Sequence, residues 1–391
     1  MSFSFNNKKI LMILNHGGLG GTERQAFGLA KYLTEEKACE VKILQLYSNF
    51  QTEEYKKHAK QSHIKEVLHF GPSFLIFKKE WSIKNLKRLK WSFQYLWKVR
   101  QGIIPYKPDV IIPFLNVPSK LAYYLYKLLP SVKVTFWHQL GADTTKGDWF
   151  ETFAAYNIPF VIGNAHNCFE LFKTKYKIPK SKLNLLPQYL TLERVDKDGD
   201  SIRSMLNIPV NAVVIGMIAQ YRSDKYFDLL LDAYYQLVHQ LSVETHLVIL
   251  GNKKNNDSSL EIYKSLKEKV KLYKLENHVS VLSNFEVNNL LNIIDIGVLV
   301  SQIEGMPNTV MEYMSYGIPV VATNHPGCEQ LLDKSNFLIP NDIEVLKDKL
   351  AELINSKELR DIEGKRNAKK ILDYNVPDYV YKLEQIINKY L

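Results

Sequence analysis

Cysteine is scarce in this chain. Three occur in 391 residues, Cys39, Cys168 and Cys328, odd in number and far apart. That usage excludes a disulfide framework, fits the reduced thiols of a cytosol, and lacks the paired spacing of a structural zinc site. Long apolar runs are missing too: nothing approaches the ~20 residues that span a bilayer, and Ile10 to Leu14 is too short for a signal-peptide core. The expectation is a cytoplasmic protein. Low-complexity tracts and short repeats are absent, and neither HExxH nor GxSxG occurs, which leaves metalloprotease and serine-hydrolase chemistry without support.

What is present is ordinary globular material, 46% apolar and 24% charged, over a length that predicts two domains. The charge is unevenly spread. Residues 1–195 hold 29 Lys and Arg against 14 Asp and Glu, a net +15, whereas residues 196–391 hold 22 against 27, a net −5. A basic half suits nucleic acid, an anionic membrane or an anionic small substrate, and charge alone does not choose among them.

Short apolar runs alternate with helical patterns along the chain. KILMILN (residues 9–15) precedes the glycine-rich HGGLGG and an amphipathic helix through Leu33; VKILQL, DVIIPFL, VKVTFW and PFVIG follow. Such alternation predicts a parallel sheet covered on both faces. Periodicity fades at TLERVDKDGDSIRSML and restarts with AVVIGMIA, HLVILG, HVSVL, IGVLVS and IPVVAT. The fold class expected is α/β with two Rossmann-like domains: 1–190, a linker at 191–205, 206–372, and a C-terminal helix at 373–391 that can cross back to the first domain.

Two segments carry the chemistry. In NHGGLGGTER the loop sits between strand and helix, where backbone amides and the helix dipole favour an anion, so Gly20 and Gly21 are candidates for phosphate or sugar contact. A tight turn without ligand is the alternative. The dinucleotide fingerprint fails, because the third glycine position, counted from Gly18, is Glu23, and the Walker A lysine is absent. The second segment is SQIEGMPNTVMEYMSYGIPVVAT, residues 301–323. Its spacing puts Glu304 on a loop above a strand end and Glu312 one turn into a helix beginning near Asn308, so both carboxylates can face a crevice between the domains and take sugar hydroxyls. The alternative is a surface loop residue and a solvated helix face.

Glu304, Gly305, Asn308, Glu312, Gly317, Pro319, Val320 and Val321, followed by Gly327 and Glu329, resemble the Glu-x7-Glu signature of the nucleotide-sugar glycosyltransferases of family 4, which have the GT-B fold. Gly20, Gly21, Glu23 and the KPDVI of Lys107 to Ile111 extend the resemblance over most of the chain. It implies two Rossmann-like domains facing across a cleft, a UDP- or GDP-linked sugar as donor, no cofactor and no essential metal. Glu304 would lie near the donor sugar and Glu312 on the ribose. Arg222 and Lys225 resemble the basic pair that neutralises the diphosphate, although the usual arginine position is Gln220 here and the usual glycine after the lysine is Tyr226. The implied donor-binding set is Gly20, Gly21, Arg222, Lys225, Gly305, Met306, Asn308, Thr309 and Glu312. His138, at a strand end, resembles a histidine facing the reacting centre, and with Glu304 and Lys225 it makes the catalytic set. A structural histidine is the alternative, and His16 is a weaker candidate. Asn164, Gln188 and Tyr189 stand where the family has Ser and Asn-Gly.

Asp196, Asp198 and Asp200 form D-x-D-x-D, but Ser201 and Asn207 break the calcium-loop pattern, and a solvated linker is the expectation. Residues 77–100, FKKEWSIKNLKRLKWSFQYLWKVR, hold eight Lys or Arg, one Glu and three of the five tryptophans. Ile83, Leu86, Leu89, Phe93 and Leu96 are expected to pack on the sheet, with Lys87, Lys90, Trp91 and Lys98 off that stripe and facing an anionic bilayer. No nucleic-acid module accompanies the charge. The expected function is a retaining glycosyltransferase acting on a hydroxyl acceptor, a lipid-linked saccharide of bacterial surface polysaccharide or lipopolysaccharide synthesis, peripheral on the inner face of the cell membrane. The alternatives are a binding or partner subunit of the same shape with weak turnover, which Gln220 and Tyr226 make conceivable, and a nucleotide-sugar epimerase or phosphorylase on the same fold.

Overall fold

The computed structural model describes residues 2–72, 75–78, 82–141, 147–252 and 257–391. The chain divides into two compact units, residues 1–191 with 374–391, and residues 192–373. Both are α/β with parallel sheets.

In the first unit, β1 (Lys9–Leu14), α1 (Gly21–Lys37), β2 (Glu40–Gln45), α2 (Glu53–Gln61), β3 (Glu66–Leu68), α3 (Ile83–Ile103) and β4 (Val110–Pro113) come first. Their strands make a parallel sheet of order β3-β2-β1-β4. Then α4 (Asn116–Leu128), β5 (Trp137–Gln139), α5 (Trp149–Asn157), β6 (Val161–Gly163), α6 (Glu170–Thr174) and β7 (Leu183–Leu185) add a sheet of order β5-β6-β7. A parallel bridge between Val110 and Val134 stitches the two sheets together. Ile10 to Leu14 are wholly buried because helices cover both faces, which is why the sequence there is an unbroken apolar run.

The second unit opens with α7 (Gly199–Met205), β8 (Val213–Ile218), α8 (Phe227–Val238), β9 (Thr245–Leu250), α9 (Asp257–Leu272), β10 (Val279–Leu282) and α10 (Val287–Leu291). It continues with β11 (Ile296–Leu299), α11 (Asn308–Ser315), β12 (Val320–Thr323), α12 (Pro326–Leu332), β13 (Leu338–Ile339), α13 (Ile343–Asn355) and α14 (Lys357–Lys370). The strand order is β10-β9-β8-β11-β12-β13, parallel throughout. Order therefore reverses between β8 and β11, where a doubly wound sheet leaves a crevice at the carboxyl ends of its strands. Helix α15 (Val376–Asn388) is the last element and belongs to the first unit, where Tyr379, Val380, Leu383 and Ile387 join Phe5, Phe27 and Ala30 in one core.

Two expectations need correction. Residues 192–205, read as a linker, fold with the second unit: Asp198 caps α7, the Arg203 guanidinium reaches the Pro209 and Ala212 carbonyls and Asp295, and the Val195 amide donates to the Tyr316 hydroxyl. Charge there marks ion pairs and caps. The apolar stripe of α3 is also misplaced. Its packed face is Asn85, Ser92, Tyr95, Leu96, Val99 and Ile103, while Ile83, Leu86 and Phe93 are exposed and Leu89 half-buried. Asn85 is drawn inward because its side chain bonds the backbone N–H and C=O of Lys78, which fixes the helix's rotation. Of the tryptophans in that stretch, Trp81 lies outside the described residues.

Tyr313 on α11 sets the crevice's geometry. Its hydroxyl donates to the Gly216 carbonyl and accepts from the Ile218 amide, both at 2.9 Å, tying α11 to the carboxyl end of β8. Its ring lies over Gly297, where a Cβ would approach to 2.5 Å, so β11 needs glycine there. Tyr313→Phe leaves two buried backbone groups unsatisfied and is expected to destabilise the fold by about 1–3 kcal/mol, read from the urea unfolding midpoint. An unmoved midpoint would mean water replaces the hydroxyl.

Candidate active site

The loops leaving β8 and β11 are laced together by backbone. Lys225 and Ser301 form an antiparallel bridge, the Tyr226 amide donates to Val300 O at 3.1 Å, and the Gln302 amide donates to Asp224 O at 2.8 Å. That lacing places Lys225 Nζ on Glu304 Oε1, with side chains only 11% and 14% exposed. Asp224 lies 3.8 Å from the same ammonium.

Helix α11 points its N-terminus into this crevice. Pro307 occupies the cap position without a side-chain bond, and the first turn carries no acidic residue, so its amides and dipole remain suited to an anion. The Thr309 hydroxyl donates to Ile218 O at 3.0 Å, and Glu312, one turn on, is buried. Gly327 supports the loop from behind: a Cβ there would fall 1.7 Å from Gly305 O, so α12 and the Glu304 loop touch backbone to backbone. Cys328, beside them, has its thiol pushed well up, by burial first and then by Glu304. It stays protonated and is no nucleophile.

The structure thus gathers Lys225, Glu304, Gly305, Asn308, Thr309 and Glu312 at one switch point. Arg222 stands at its edge, on Asp224. Half exposed, it forms a bidentate pair with Asp224, Nε at 2.8 Å and Nη2 at 3.0 Å, and its charge is already matched. Met306 is a core residue, its side chain covered where α12 closes in. Sequence reasoning passed over Asp224, although an acid between Arg222 and Lys225 was visible. It also missed the brace under Ser301, whose carbonyl accepts from Asn341 Nδ2 and meets His325 Nε2, both at 3.0 Å, while its amide donates to Thr323 Oγ1. No local pattern announces those partners.

The first unit holds the other candidates. Gly20 begins α1, and its amide donates to Glu23 Oε2 at 3.0 Å, so the helix start already has a carboxylate where a phosphate would sit. A neutral hydroxyl suits that loop better than an anion. His16 stacks on Tyr47. His138 is buried between Phe114 and Phe136, its ring Nδ1 3.0 Å from Pro113 O. A carbonyl only accepts, so Nδ1 carries the proton and Nε2 a lone pair. Burial pushes its pKa down to about 4. The ring is therefore neutral at pH 7, with Nε2 able to accept a hydrogen bond. Asn164 donates to Gln188 Oε1 and Tyr189 bonds Gln25 at both ends, all within this unit. Among the described residues no three His, Cys, Asp or Glu side chains are grouped to hold a metal ion, and Asp196 pairs with Arg194 while Asp198 caps α7.

Residues 198–370 match the family model Glycosyl transferases group 1. The match falls on the unit that carries Lys225, Glu304 and Glu312. WcaL of Escherichia coli strain K12, named for a glycosyltransferase of colanic acid biosynthesis, is 32% identical over 140 residues, 32% of this chain and 32% of that protein. The UDP-Gal:alpha-D-GlcNAc-diphosphoundecaprenol alpha-1,3-galactosyltransferase of Escherichia coli is 25% identical over 251 residues, 61% of this chain and 62% of that protein. The matched stretches thus span between a third and two thirds of these curated relatives. Alr3699/HepE of Anabaena, solved in complex with UDP-glucose, superposes with a TM-score of 0.78 at 17% identity, over 98% of this chain and 100% of that one. The fold is GT-B.

The neutral histidines give stability a pH dependence. His138 and His246 both titrate at about 4 when folded, against an ordinary 6.5 when unfolded. Above pH 6.5 neither state is protonated and stability is full; between 6.5 and 4 only the unfolded chain takes protons, so stability falls with pH. His138→Gln is expected to flatten that decline by on the order of 3 kcal/mol across the window, read from urea midpoints at stepped pH. An unchanged slope would show that His138 is protonated when folded.

Proposed function

We propose that the protein is a glycosyltransferase that moves a sugar from a nucleoside diphosphate to a hydroxyl acceptor, with retention of anomeric configuration. The observation that carries this reading is the Lys225–Glu304 pair held at the switch point beside the free-capped start of α11, with Glu312 buried behind it. A UDP-sugar is the proposed donor, since HepE is solved with UDP-glucose and the E. coli relative is named for UDP-Gal.

In this reading Glu312 holds the ribose diol and the α11 amides hold the diphosphate. Lys225 exchanges Glu304 for the phosphate oxygens, which frees Glu304 to take a hydroxyl of the sugar. The bond from the anomeric carbon to the diphosphate breaks as the acceptor oxygen attacks the same face, and the acceptor proton passes to the departing phosphate oxygen. Positive charge at Lys225 and the helix start stabilises the leaving group where its charge develops. The first half's +15 charge, its tryptophan-rich basic stretch and the undecaprenol-linked substrate in the relative's name support a lipid-linked saccharide acceptor presented at an anionic membrane surface, in assembly of a bacterial surface polysaccharide.

Incubation with a panel of UDP- and GDP-sugars, monitored for slow hydrolysis, tests the activity; no turnover with any donor would favour the non-catalytic partner subunit that Gln220 and Tyr226 bring to mind. Glu312→Ala should weaken donor binding by about 1.5–3 kcal/mol for each charge-assisted bond lost, measured by calorimetry. Lys225→Ala should lower kcat by about 10²–10³, and Arg222→Ala should cost far less because Asp224 already holds it. Equal losses from both would reverse the two roles. For the membrane, wild type is expected to sediment with anionic liposomes at low salt, and charge reversal of Lys87, Arg88, Lys90 and Lys98 to abolish it.

A further inference from the structure

Helices α3 and α5 turn large apolar side chains toward solvent while burying polar ones. Ile83, Leu86, Phe93 and Trp97 are 76%, 52%, 59% and 60% exposed. With Lys90 they follow alternating three- and four-residue spacing, which lines them up along one side of α3. The line continues onto α5: the Phe93 ring lies 6.4 Å from Phe150, Phe150 lies 5.4 Å from Trp149, and Trp149 stacks on Phe153 at 5.3 Å. Trp149 and Phe153 are themselves exposed. Isolated exposed apolar residues are ordinary, but a contiguous aromatic band over two helices marks a contact surface.

Its surroundings say what the contact is. Helix α3 has no Asp or Glu over its 21 residues, and Lys84, Lys87, Lys90 and Lys98 all stand exposed. The one acid of α5, Glu151, is turned inward, accepting from the Tyr176 hydroxyl and the Gly147 amide. An outward face with tryptophan, phenylalanine and aliphatic side chains, bordered by lysines and, among the described residues of α3 and α5, showing no outward carboxylate, matches the boundary between anionic headgroups and acyl chains. A second copy of the chain would bring like charges together.

We propose that this face inserts into an anionic phospholipid bilayer, with Ile83, Leu86, Phe93 and Trp97 entering the headgroup–acyl boundary and Lys84, Lys87 and Lys90 meeting the phosphates. The inference rests on the membrane reading above and adds to it a depth and a face: attachment has an apolar component that salt does not remove.

The three native cysteines are buried, so Phe93→Cys in the full chain supplies an accessible thiol for an environment-sensitive NBD label. With vesicles of phosphatidylcholine and phosphatidylglycerol the label should shift to the blue and be quenched by a nitroxide on the acyl chain, whereas the same label at exposed Val210 should not respond. The combined Ile83→Ser, Leu86→Ser, Phe93→Ser and Trp97→Ser variant should lose about tenfold or more in vesicle affinity and keep its donor hydrolysis. Pelleting with an unshifted label overturns insertion and leaves the membrane reading standing. Failure of wild type to bind any vesicle overturns both. A blue shift without lipid, together with a dimer in light scattering or a complex with an acidic protein, assigns the face to another protein and overturns the proposal.

Discussion

Lys225 and Glu304 meet because the loops that carry them are hydrogen-bonded to each other before either side chain is placed. Two backbone hydrogen bonds, which together make one antiparallel bridge, run between those loops, and they form because β8 and β11 are neighbours in the sheet although β9 and β10 lie between them in sequence. Helix α11, pinned to β8 by Tyr313 and Thr309, then presents its N-terminus to the same spot. A parallel sheet that reverses its strand order yields this convergence without further instruction. The side chains supply the chemistry, and the topology supplies their address.

Burial gives the pair its character. Two opposite charges held mostly out of water stabilise a fold little, yet removing one partner leaves the other uncompensated. An incoming anion can replace Glu304 on Lys225 at small net cost, because the lysine passes from one negative partner to another and is never left bare. The neighbouring Cys328 is kept neutral by the same low-dielectric surroundings, and in the first unit burial does likewise to His138.

The α/β alternation was plain in the sequence because strands covered on both faces leave unbroken apolar runs, as in Ile10 to Leu14 and Val213 to Ile218. The Glu304 to Glu312 segment was legible for a related reason: a strand end, a Gly-Pro turn and a helix start occupy consecutive residues, so spacing alone fixes their relation. Contacts distant in sequence were not legible. The brace under Ser301 is one case, since Thr323, His325 and Asn341 lie 22 to 40 residues away. The rotation of α3 depends on a single buried asparagine bonded to the backbone ahead of the helix, and a hydrophobic pattern read without that bond selects the wrong face. The tautomer of His138 was not legible either, because it is set by a carbonyl 25 residues upstream.

The distribution of charge looks contrary to the proposed chemistry until distance is considered. On the proposed reading the half that would hold an anionic donor carries −5, whereas the other half carries +15. In salt near 0.1 M a charge is screened over roughly 10 Å, so the total of a domain has little say at a site within it. On the proposed reading a diphosphate would meet one ammonium and the start of one helix, with Glu304 and Glu312 beside them. Over a broad surface the sum does matter, because many lysines face one extended anionic plane together, and there the acid-free α3 adds its charges in the same direction. Local geometry thus governs the second unit and collective charge governs the first. On the reading proposed above, reversing a few lysines on α3 would act on attachment to a surface, whereas replacing Lys225 would act on a single ion pair.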